Sequence, residues 1–123
     1  MLVTAFAILA VVVLLGSVLA VLHLRMNGLA APPWPLAALH GLLAISGLCC
    51  LVLALRGPPR GLDQGTASFG IIATALITLA ALAGAGLLAT HILKRRIAGI
   101  MLGIHATLAV SGFVILAAYI FAG

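Results

Sequence analysis

Four histidines, His23, His40, His91 and His105, are the residues of this chain best suited to chemistry, and all four obey one spacing rule. With a 65-residue offset, His105-Ala106-Thr107-Leu108-Ala109-Val110-Ser111-Gly112 overlays His40-Gly41-Leu42-Leu43-Ala44-Ile45-Ser46-Gly47, sharing His-x-x-Leu-Ala-[Ile/Val]-Ser-Gly. With an offset of 68, Gly84 and His91 fall on Gly16 and His23. Each half therefore reads Gly-x6-His, a connection, then His-x6-Gly. Matches of Gly, Ala and Leu alone would mean little in so apolar a chain, so the histidines carry the repeat. Neutral imidazole is the commonest nitrogen ligand of metals, and haem iron takes two of them axially in electron-transfer sites.

A porphyrin is a wide apolar disc, and helices that hold one need small residues where it approaches. Seven residues from each histidine stands a glycine, about 20° from the same helical face after two turns. Gly47 and Gly112, with Ala44 and Ala109 at the intervening i+4 positions, form a small-residue stripe above His40 and His105. Gly16 and Gly84 stand in the same relation to His23 and His91. The plainer reading of such stripes is close helix packing of the small-xxx-small kind.

The remaining composition excludes most other chemistry. Of 123 residues, 66% are hydrophobic and 6% charged, with a mean hydropathy of +1.45, whereas a soluble domain carries roughly 25% charged residues. The chain belongs in a bilayer. Asp63 is the single acidic residue, which leaves no paired carboxylates, no carboxylate-bound metal and no acidic proton relay. Four-helix multidrug exporters share the length but require an intramembrane carboxylate. The net charge of +5 sits between apolar runs and reads as membrane anchoring and topology signal, not as a nucleic-acid surface. Cys49 and Cys50 are adjacent, which implies neither a disulfide framework nor a CxxC redox pair. They are suited to a soft metal, but the second half has no counterpart to them.

The histidines must be positioned by helices. Crossing about 30 Å of hydrocarbon takes roughly 20 helical residues, and four stretches qualify: about 2–24, 36–55, 67–93 and 97–121. They are too long and too unalternating for barrel strands. The expected fold is an all-α membrane protein, a four-transmembrane-helix up-down-up-down bundle in one domain, 1–123, built from two tandem helical hairpins of about 2–55 and 67–121. The first run lacks a basic leader and exceeds the usual signal-peptide core, so it reads as a membrane span. The first connection, 25–35, contains three prolines and an interfacial Trp34, and helix two is expected after it. The second, 56–66, is the most polar stretch, and Asp63 or Thr66 is expected to cap helix three. The third is little more than Lys94-Arg95-Arg96, which makes helices three and four antiparallel neighbours.

Arg25, Lys94, Arg95 and Arg96 lie on the odd-numbered connections, against Arg56 and Arg60 beside Asp63 on the even one. The positive-inside rule then puts connections one and three in the cytoplasm and both termini outside, in the periplasm if the membrane is a bacterial inner membrane. Since the repeat unit contains two helices, the halves are parallel in topology, related by a pseudo-two-fold along the membrane normal. All four histidines then share one membrane half. His40 and His105 are the deeper pair; His105 lies nine residues past Arg96, about 13 Å along a helix. Helices two and four occupy one diagonal of an up-down bundle, so this pair faces across its axis. Ser46 and Ser111 are expected to bond carbonyls one turn back, at Leu42 and Thr107.

On His40, His105, His23 and His91, and on Gly16, Gly47, Gly84 and Gly112, the chain resembles small membrane b-type cytochromes such as the cytochrome b561-like proteins and the succinate dehydrogenase membrane anchors. The resemblance is architectural and covers most of the chain. It implies haem b held between His40 and His105 of facing helices, and exchange of electrons with a quinone or a redox partner protein or homo-oligomer. It departs from the b561-like pattern, which has histidine pairs on both membrane sides, and so speaks against two haems stacked along the axis. His23 and His91 then stand nearer the water, to meet haem propionates beside the basic residues, a second cofactor or a quinone head group. The competing readings are interfacial side chains at His23 and His91, a non-haem metal-binding or metal-transport protein with a four-imidazole site, a bacteriochlorophyll-binding protein, and a structural subunit of a larger membrane complex.

Overall fold

The computed structural model describes residues 1–26, 33–58, 60–93, 95 and 99–122. Four helices form from the four apolar runs: α1 (Leu2–Arg25), α2 (Trp34–Ala54), α3 (Phe69–Ile92) and α4 (Gly99–Phe121). Each is long and apolar enough to cross a membrane. They are hydrophobic on every side, as expected of helices whose outer faces meet lipid. Large side chains such as Leu14, Leu42, Leu82 and Val114 accordingly point outward. The interior is built instead from Ala5, Leu9, Leu51, Ala73, Ile77, Leu116 and Tyr119.

The helices form a square in which α1 touches α2 and α4, and α3 touches α2 and α4. Among the described residues the diagonal pairs, α1 with α3 and α2 with α4, make no backbone contact. Packing is extensive within each hairpin, α1 on α2 and α3 on α4, and sparser along the two seams between hairpins.

The duplication read in the sequence is present in the packing. Ala5 and Ala73, 68 residues apart, are both fully buried, as are Leu51 and Leu116, 65 residues apart. Gly47 is filled by Ile8 and Leu9, and its counterpart Gly112 by Leu76 and Ile77. The two halves use the same knobs in the same holes.

Several boundaries differ from expectation. Helix α2 starts at Trp34, with Pro33 at the N-cap, so Trp34 and Pro35 belong to the helix. Proline is tolerated there because the first-turn N–H groups have no partner inside a helix. Helix α3 starts at Phe69 behind Ser68, which makes no side-chain cap bond, and neither Asp63 nor Thr66 caps it. Thr66 is consumed by the preceding loop: its N–H donates to the Gly61 carbonyl at 2.8 Å, and its hydroxyl to the same oxygen at 3.5 Å. That closed loop needs positive φ at Gly61 (71°) and Gly65 (69°), which only glycine adopts freely. Ser46 bonds the Leu42 carbonyl at 2.9 Å as expected. Among the described residues the corresponding bond from Ser111 is not formed, while Ser17 makes one to Val13 at 2.8 Å. In the third connection, Lys94 and Arg96 lie outside the described residues.

Candidate functional site

His40 enters from α2 and His105 from α4, and the imidazoles meet across the bundle axis with ring centroids 6.1 Å apart and planes inclined at 75°. Each is half-buried and tied to the other helix of its own hairpin. His40 Nδ1 donates to the Val12 carbonyl of α1 at 3.1 Å, and His105 Nδ1 donates to the Ala80 carbonyl of α3 at 2.8 Å. Val12 and Ala80 are related by the 68-residue offset that relates Gly16 to Gly84, so the same bond is made twice.

The tautomer follows from the chemistry of the partner. A carbonyl oxygen only accepts, so each Nδ1 carries the hydrogen and each Nε2 keeps its lone pair. Among the described residues neither Nε2 finds a hydrogen-bond donor. Each imidazole is thus oriented by its Nδ1–H bond to a backbone carbonyl, with its Nε2 lone pair unbonded among the described residues.

Glycine makes this arrangement sterically possible. A methyl group at Gly16 would come within 2.9 Å of Cε1 of His40, and one at Gly84 within 3.0 Å of Cε1 of His105. The glycine beneath each ring therefore comes from the neighbouring helix of the hairpin, one turn past the carbonyl that receives Nδ1. The seven-residue spacing pairs each glycine with the histidine on its own helix. In the fold, Gly47 and Gly112 lie against Leu9 and Ile77, away from the imidazoles, whereas Gly16 and Gly84 lie against them.

A cavity of about 150 Å³ lies beside the rings, lined by Gly16, Ala44, Ala80, Ala109 and both histidines among other, mostly apolar, residues. Above it, Phe113 stacks on Phe6 with centroids 5.0 Å apart and planes 10° from parallel, and Phe121 meets Phe6 edge-on at 5.9 Å. Aromatic stacking of this kind has no counterpart in the other hairpin pairing, since Phe6, Phe113 and Phe121 correspond to Thr74, Leu48 and Arg56. Single aromatic residues in an apolar run gave no sign of it beforehand.

His23 and His91 do not join the pair: among the described residues no group of three or more His, Cys, Asp or Glu side chains converges. His23, in the last turn of α1, is buried, and its Nδ1 has no hydrogen-bond partner. It stands one turn beyond Ala20, a cavity-lining residue of the same helix. His91, its counterpart in α3, is half-buried. Cys49 and Cys50 are free thiols on α2, one exposed and one partly buried. The chain matches no protein-family model, and no curated protein or solved structure matches it either.

The protein is a four-helix, all-α membrane-spanning bundle.

Proposed function

We propose that this bundle is a membrane-embedded haem b protein that carries electrons, in which His40 and His105 would hold one haem. The observation that carries this reading is the doubled His–carbonyl bond, which leaves both Nε2 lone pairs free inside a low-dielectric bundle. The closeness of the two rings, 6.1 Å between centroids, supports it, since side chains that hold one group must come from facing helices.

Ligand count also supports a porphyrin over a bare ion. Zinc and similar ions held by protein alone take three or four side-chain ligands, and only two converge here among the described residues. Haem supplies four nitrogens itself and needs two more. The cavity of about 150 Å³ that both histidines border is of the size that takes a benzene ring, so a whole porphyrin would enter only if the hairpins parted along a seam.

Bound there, haem supplies a reversible one-electron couple. The chain's own residues would fix the imidazole tautomers through Val12 and Ala80, leave room at Gly16 and Gly84, and exclude water with an apolar lining. His23, buried and unpaired beside Arg25, suits a carboxylate rim or a quinone head group at the inner face. The short connections contain no soluble redox domain, so electrons would be exchanged with a quinone, a partner subunit or a second copy. Connections one and three would face the cytoplasm, with both termini in the periplasm of a bacterial inner membrane.

The test is an absorption spectrum of the purified protein. A Soret band with a reduced-minus-oxidised α-band is the expected result. A colourless preparation carrying stoichiometric zinc or copper would overturn it.

A further inference from the structure

The two seams between the hairpins should be alike in a duplicated bundle, and they are not. On the α1–α4 side the cavity is bordered by Gly16, Ser17 and Ala20 of α1 and by Ala106, Ala109 and Val110 of α4. Ser17 and Val110 are themselves exposed, so the cavity reaches the lipid-facing surface between these two helices. On the α2–α3 side their counterparts are Ala85 and Ile45, both exposed, and neither borders the cavity. Leu88 stands where α1 has Ala20. Among the described residues this cavity therefore reaches the bilayer between α1 and α4.

Two further features bear on that opening. Phe113, which stacks on Phe6, borders the cavity, so this aromatic pair joins α1 to α4 at one end of it. Both seams are less extensively packed than the hairpins, the α2–α3 seam slightly more sparsely than the α1–α4 one, so parting the hairpins disturbs less packing than opening either of them, and it is the position of the cavity that distinguishes the two seams. Small side chains on both walls leave few knobs to withdraw from holes when the helices part.

We propose that the α1–α4 seam is the portal through which the apolar prosthetic group is taken up sideways from the bilayer, whereas the α2–α3 seam stays closed. This rests on the haem reading, and the pseudo-two-fold provides its own control. Haem-free protein in lipid nanodiscs is given haemin, and growth of the Soret band is followed for the wild type, Ser17→Phe and Ala85→Phe. Ser17→Phe should load at least about tenfold more slowly while reaching the wild-type content, and Ala85→Phe should stay within about twofold of wild type. Val110→Phe and its counterpart Ile45→Phe give a second pair should Ser17→Phe not fold, which its unfolding temperature reveals. Wild-type loading with equal rates for the two members of a pair overturns the portal alone. A wild type that takes up no haemin overturns the haem reading itself.

Discussion

His40 and His105 face each other across the bundle with 6.1 Å between ring centroids, each anchored by Nδ1 to a carbonyl of the adjacent helix in its own hairpin. Because the anchors are backbone atoms, no side-chain substitution removes them directly. The imidazoles are the place to intervene. His40→Ala and His105→Ala should each abolish the pigment, read as loss of the Soret band in purified protein, and added imidazole should restore part of it. A variant that keeps full haem content would remove that histidine from the ligand set.

Gly16 and Gly84 are expected to be the sensitive glycines of the site. Valine at either position drives a side chain into an imidazole, an overpacking worth about 1–3 kcal/mol, and should cost haem content as well as stability. Gly41→Ala, which meets nothing within 4 Å, should leave both unchanged. Thermal unfolding and the Soret-to-protein ratio measure the two effects separately.

Gly47 and Gly112 should behave differently, because their space is taken by Leu9 and Ile77. Leucine at either position should lower the stability of the haem-free bundle by about 1–3 kcal/mol through overpacking. The spectrum of whatever protein does load should keep its wild-type band positions. A shifted α-band in these variants would mean that the two glycines touch the chromophore.

His23 carries an unpaired buried Nδ1, and His91 does not. An orphaned buried polar atom costs about 1–3 kcal/mol, so His23→Leu should leave the haem-free protein as stable as wild type or more so. In the loaded protein the same change should shift the midpoint potential, and by more than His91→Leu does. Equal shifts from the two, or destabilisation of the haem-free form by His23→Leu, would show that the imidazole is already satisfied within the protein.

Orientation is open to fusion reporters. Alkaline phosphatase joined after Gly123 should be active, and a fluorescent protein at the same place should be dark, since the positive-inside rule puts the termini outside. Replacing Lys94, Arg95 and Arg96 with glutamine removes three of the four basic residues on the odd-numbered connections and should weaken or invert that preference.

The bundle was legible in the sequence because membrane helices are read from length and apolarity, and the third connection is too short to allow anything but antiparallel neighbours. The histidine repeat was legible for a similar reason: four residues of one rare type obeyed one pattern. Helix starts were less so. Trp34 and Pro35 look like loop but lie in a first turn that tolerates proline, and Thr66 looks like a cap but is held by Gly61.

By itself the sequence determined that four helices are long and apolar enough to cross the membrane, that they form two like hairpins, and that His40 and His105 lie on one diagonal. Those are properties of periodicity and chain direction. Only the tertiary structure decided which glycine serves which histidine, that the carbonyls of Val12 and Ala80 fix the imidazoles, and that the seams of a duplicated bundle are unequal. Backbone carbonyls have no letter in a sequence, and a close approach between helices depends on their rotation about their own axes. In a chain apolar on every face, hydrophobic patterning leaves that rotation unspecified, and it is set by which small residue admits which neighbour.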